Sequence, residues 1–207
     1  MKPLTVWHFA GSTLRDGKPL PNAGTRLPRV EKPVPCERGY HGSVRLLDAL
    51  RYAPGTLLAQ CDLRGTIIAN GNPVVDKHVA SVRVYLTDYV DVRAVLVAWS
   101  RRVALHAIRV TAADALDAAG VTEHARKLRA LPDDVDLLAA WAAAVTAGDA
   151  AGAAWSAARA SGAAWVAWSA AGAARAAAGA AGAARAALDL YNSWLEADCR
   201  KALGIEP

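Results

Sequence analysis

Cysteine is scarce in this chain. Cys36, Cys61 and Cys199 are the only three in 207 residues, and none stands in CxxC or CxxH spacing. An odd, scattered set excludes a disulfide framework and a cysteine-based zinc site, so reduced thiols in a cytoplasmic protein are expected. The opening stretch MKPLTVWHFAGSTLRDG has no apolar run long enough for a signal peptide. A long hydrophobic span is missing as well. Fifteen uncharged residues separate Arg159 from Arg175, mostly Ala, Gly and Ser, where a membrane helix wants about 20 strongly apolar ones. No membrane contact is expected. HExxH, GxSxG, the P-loop and GxGxxG are all absent, which leaves protease, α/β-hydrolase, NTPase and dinucleotide-binding readings without support. Neither a metal nor a cofactor is expected.

The charge that is present is unevenly placed. The chain carries a net +5, yet residues 134–207 are net −2 and residues 1–133 hold +7. Attraction for nucleic acid or an acidic partner therefore belongs to the first part.

Residues 4–9 are β-prone and apolar, and a Gly/Pro-rich loop follows, with room for a short edge strand. Pro33 and Pro35 keep the next segment extended. Ser43 is placed to cap a short helix over 44–52, stopped by Pro54 and Gly55. Residues 56–63 and 66–69 suggest a hairpin turning near Arg64 and Gly65, and Asn70 to Pro73 is a strong turn signal. Residues 78–86 alternate, with Val79, Val82 and Val84 set against polar Ser81 and Arg83, as a strand does. The pattern predicts an α+β fold: a small mixed-sheet domain over 1–90, then an all-helical region over 91–207.

Within that region the spacing predicts a helix over 92–108, burying Val95, Leu96, Trp99, Val103 and Leu105. Shorter helices are expected over 112–119, 122–130 and 135–147. From Ala150 the sequence is nearly low-complexity, and Gly-Ala-Ala recurs at 152, 162, 172 and 182. Alanine favours helix strongly enough to outweigh glycines that each cost about 1 kcal/mol. A continuous helix over 150–203 would be roughly 80 Å long. A ten-residue step drifts around the helix, which argues against a heptad zipper and for packing on several sides, including against a second copy of the chain. Alanine drift in a tolerant, exposed helix explains the composition equally well. Trp141, Trp155, Trp165, Trp168 and Trp194 read as anchors in a helix–helix core or at a partner surface, because tryptophan rarely sits fully exposed; the first four are the candidate interface residues.

Candidate site residues lie in the first domain. Gly39 and Gly42 flank Tyr40 and His41, and glycines there permit close approach of a ligand. His8 lies between Trp7 and Phe9 and faces the other way. His8, Tyr40 and His41 are the candidate catalytic residues, and a satisfied turn histidine is the bland reading of His41. Arg38, Arg45, Arg51, Arg64, Lys77, Arg83, Arg93, Arg101 and Arg102 are basic residues that could gather into a patch or stay a dispersed solvated surface. Of these, Arg38, Arg45, Arg51 and Arg64 are the candidate binding residues for nucleic acid or an acidic protein, although no helix-turn-helix or zinc-finger signature accompanies them.

Several features occur in a specific order: Trp7-His8-Phe9, Cys36 to His41, Leu47 to Gly55, Lys77, then Arg101 to Leu105, ahead of an Ala/Trp/Arg-rich tail. In this the chain resembles a family of phage- and prophage-associated proteins that carries no assigned activity. The resemblance implies a phage or mobile-element context. A looser likeness is to ADP-ribosyltransferases, whose chemistry calls for a glutamate late in the sheet. Here that region offers Asp76, Asp88 and Asp91, with Glu123 in a helical stretch. The leading expectation is a non-enzymatic interaction protein that binds a host protein or complex, in anti-defence or as a virion component. An ADP-ribosyltransferase-like enzyme is the alternative, and a nucleic-acid-binding protein the third reading.

Overall fold

A computed structural model describes residues 2–71, 75–118, 122–136 and 183–205. They fall into two compact units, Met1–Val95 with Leu195–Pro207, and Leu96–Trp194. The chain is α+β: an antiparallel sheet early and helices later.

In the first unit, strand β1 (Leu4–Ala10), strand β2 (Tyr40–Gly42), helix α1 (Leu46–Leu50), strand β3 (Leu57–Asn70), strand β4 (Lys77–Tyr85) and strand β5 (Val90–Asp91) follow in order. The sheet runs β1-β3-β4-β2, and β5 pairs with the start of β3. It curls until its outer strands meet, where Trp7 and Ser43 exchange backbone hydrogen bonds of 2.8 and 3.2 Å. Val6, Ala59, Cys61, Leu63, Ala80 and Tyr85 form one buried cluster. Residues 24–30 run along β4 beyond the reach of β2, and Leu27 and Val30 donate to the carbonyls of Arg83 and Ser81.

Three local expectations change. Instead of a hairpin at Arg64 and Gly65, one fourteen-residue strand runs straight through. Gly65 uses its positive φ of +76° for a bulge, which shifts the β3–β4 register between Arg64 and Ile67. The Ser81 hydroxyl accepts the Thr66 N–H at 3.0 Å and fills the gap in the ladder. Second, Ser43 does not cap α1. Its backbone is committed to Trp7, and the helix starts after Arg45 without a side-chain cap. Third, the polar positions of β4 do not face solvent: Ser81 is fully buried and Arg83 is 4% exposed.

The second unit is helical where described. Helix α2 (Arg93–His106) passes through a π-helical turn (Ala107–Ala112) into helix α3 (Ala113–Ala118), and helix α4 (Thr122–Arg129) follows. Ile108, Ala112, Ala113, Leu116, Ala125 and Leu128 pack together. Arg101 donates to the carbonyls of Asp133 and Val135, and Arg109 pairs with the Asp133 carboxylate at 2.6 Å, so the chain after α4 is tied down. Helix α5 (Ala183–Ala202) closes the described chain. Trp99 Nε1–H donates to the Tyr191 carbonyl at 2.8 Å, and the Arg102 guanidinium lies 3.9 Å from the centre of the Trp194 ring. The predicted helix over 135–147, the continuity of the alanine-rich helix, and Trp141, Trp155, Trp165 and Trp168 lie outside the described residues. Among those described, no helix is long and apolar enough to cross a membrane.

Candidate functional site

β1, β2 and β4 deliver His8, Tyr40 and His41 to the surroundings of one side chain, Arg83. Register explains part of this. Leu63 pairs with both Leu4 and Arg83, and Cys61 pairs with both Val6 and Tyr85. Cross-strand partners share a face, so Arg83 and Tyr85 lie on the face of Leu4, Val6 and His8. His8 pairs with Ala59, whose small side chain is buried beside it.

Arg83 donates through Nη1 to the Tyr85 hydroxyl at 3.0 Å and through Nη2 to the His41 carbonyl. Its guanidinium lies 5.6 Å from the Tyr40 ring centre and 5.7 Å from that of Tyr85. The Tyr89 hydroxyl donates to Tyr85 at 3.3 Å and lies 2.6 Å from His8 Nδ1. A continuous hydrogen-bonded path therefore links His8, Tyr89, Tyr85, Arg83 and the backbone of His41. Gly39, at φ +119°, makes the approach of β2 possible, since a Cβ there would stand 2.7 Å from Val79 Cγ2. His8, Tyr40, His41 and Tyr89 are half-buried around the fully covered Arg83 and Tyr85.

Electrostatics here run in one direction. Burial holds His8 well below the ordinary histidine range, and the charges of Arg83 and His41 push it further. Burial lowers His41 too, followed by Lys77, Arg83 and Arg15. Burial and the Tyr85 hydroxyl raise the Tyr89 phenol strongly, so it stays protonated. The partners of Arg83 among the described residues are uncharged: a carbonyl, a phenol and two rings. Asp16, which acts on Tyr40, is itself paired with Lys18 at 2.7 Å.

His41 is also tied locally, as its Nε2 accepts the Cys36 N–H at 3.2 Å. Tyr40 donates its hydroxyl to the Pro28 carbonyl at 2.7 Å. The four candidate arginines do not join this cluster. Arg45 and Arg51 flank α1: Arg51 pairs with Asp76 at 3.0 Å, and Arg45 lines a hollow of about 350 Å³ with Val44, Ala69, Asp76 and His78. Arg38 donates to the Lys32 carbonyl at 2.9 Å, and Arg64 pairs with Asp62 at 2.9 Å. Among the described residues, no group of three or more His, Cys, Asp or Glu is placed to hold a metal ion.

Sequence reasoning does not single out Tyr85 or Tyr89, and it carries Arg83 only as one of several dispersed basic residues and as a polar position in an alternating strand. The usable signal was the aromatic pair Tyr85 and Tyr89 immediately after it. Comparison with protein-family models, curated proteins and solved structures finds no match.

Proposed function

We propose that the chain is a non-enzymatic interaction protein that grips an acidic group of its partner through the His8–Tyr40–His41–Arg83 cluster. One observation carries this reading: the candidate residues surround a buried cation whose partners, among the described residues, are all uncharged. Such a cluster attracts and orients an anion. Acid–base or glycosyl-transfer chemistry would also need a carboxylate beside these residues, and none of the groups acting on His8 or His41 is acidic. In the phage or mobile-element setting that the sequence suggests, the partner is a host protein or complex, bound in anti-defence or virion assembly.

The convergence of His8, Tyr40 and His41 favours the ADP-ribosyltransferase-like enzyme as the second reading. The nucleic-acid reading gains nothing from Arg38, Arg51 and Arg64, whose guanidinium groups are already engaged within the fold. Affinity capture from the native host, read by mass spectrometry, tests the proposal. The expected result is one stoichiometric partner whose recovery drops in a His8→Ala, His41→Ala variant. Release of nicotinamide from NAD by the purified chain, lost on His8→Ala, would overturn it in favour of the enzyme.

A further inference from the structure

We infer that Tyr85 and Tyr89 relay the donor of the buried Arg83 outward to His8, holding the His8 ring proton on Nε2 as the N–H that meets the partner's acidic group. Tyr89 is thus a positioning residue. The inference deepens the binding reading above and rests on it.

A partner cannot touch Arg83, which is 4% exposed. Its Nη1 donates to the Tyr85 hydroxyl at 3.0 Å, and Tyr85 is fully buried. The Tyr89 oxygen lies 3.3 Å from that of Tyr85 and 2.6 Å from His8 Nδ1. A phenol has one proton to give, so Tyr89 donates to Tyr85 or to His8 but never to both. The hydroxyl protons turn between these two settings without moving a heavy atom.

Counting protons separates the two settings. With Tyr89 turned to Tyr85, the Tyr85 oxygen accepts from both Arg83 and Tyr89, and its own proton has no acceptor among the described residues. His8 must then supply the proton of its contact with Tyr89, which leaves only a lone pair on Nε2. With both hydroxyls turned outward, Arg83 donates to Tyr85, Tyr85 to Tyr89, and Tyr89 to His8 Nδ1. Every proton then has an acceptor, the shortest contact runs from phenol to imidazole, and each bond polarises the next in one direction. The single N–H of the uncharged ring stands on Nε2. Nδ1 is taken, whereas Nε2 has no partner among the described residues and is not buried. An acidic group finds a donor there without the ring gaining a proton, a gain that burial and the charges of Arg83 and His41 oppose. The titratable and charged groups facing His8 are Arg83 and Tyr85 from β4, His41 from β2, and Tyr89.

The test reads the His8 ring of the full chain by long-range nitrogen–proton NMR. With the ring uncharged, Nε2 should carry the proton and Nδ1 should be the bare, hydrogen-bonded nitrogen. Tyr89→Phe removes only the hydroxyl. It should raise the His8 pKa by about one unit, because the bond it loses favours the uncharged ring. In partner capture from the native host it should cut recovery by about fivefold with His8 itself intact. A ring proton on Nδ1, or a His8 pKa that falls or holds still in Tyr89→Phe, overturns the relay. The wild-type ring alone decides this point if the variant does not fold. Capture lost in His8→Ala yet unchanged in Tyr89→Phe also overturns the relay, and leaves the binding reading standing. Capture that needs neither His8 nor His41, or NAD consumption by the purified chain, removes the binding reading itself.

Discussion

A buried guanidinium normally lies against a carboxylate, and removing one member of such a pair costs about 3–5 kcal/mol. Arg83 has no such partner among the described residues, so a smaller loss is expected of it. Arg83→Met removes the donor to the His41 carbonyl and the Tyr85 hydroxyl and should lower thermal stability by about 1–2 kcal/mol, while reducing partner capture. A loss of several kcal/mol in thermal or urea unfolding would mark Arg83 as structural. His8 makes a pH prediction. Its folded pKa lies well below the ordinary value, which is about 6.5 in an unfolded chain. Below that pH the unfolded chain takes the proton first. The contribution of His8 is therefore complete above pH 6.5 and is lost as pH falls toward the folded value. Unfolding midpoints should drop between pH 7 and 5, with a shallower slope in His8→Gln. Gly65→Ala tests the bulge. A left-handed residue with a Cβ costs about 1–2 kcal/mol, and here that atom would also stand 2.3 Å from Ser81 Oγ. Urea unfolding should show at least that loss.

At the level of elements, what the sequence revealed and what it concealed have physical reasons. β1 and α4 are legible because Gly or Pro stands near both of their ends, and α2 because a long stretch free of Gly and Pro carries Leu96, Trp99 and Val103 at helical spacing. Gly65 was misread because a left-handed glycine serves a bulge as readily as a turn, and only the partner strand decides which. Ser43 had the chemistry of a helix cap, but its backbone was claimed by Trp7, a partner 36 positions away. Alternation sets Ser81 and Arg83 apart from the valines but says nothing of what covers them, and β4 is covered on both faces. His8, Tyr40 and His41 were each identifiable from sequence. Their convergence depends on register, and no spacing rule could supply it. In the helical unit, the Trp99 indole anchors α2 to the Tyr191 carbonyl. Trp99→Phe keeps most of the ring but removes the indole donor, while the carbonyl keeps its helical partner; stability should fall by about 0.5–1.5 kcal/mol in a thermal scan.

Across the whole molecule, the net positive charge lies in residues 1–133 and the remainder is net acidic. Within the first part, Lys18, Arg51 and Arg64 are paired with carboxylates, whereas the buried Arg83 rests on uncharged partners beside His8 and His41. That buried charge, more than the total of +5, gives the chain a preferred place for an anion. Its most direct test is an NMR pH titration of the five histidines of the full chain. The account predicts that His8 and His41 both titrate below the ordinary histidine value, His8 the lower of the two, because both are covered and face the charge of Arg83. Ordinary values for His8 and His41 would contradict it.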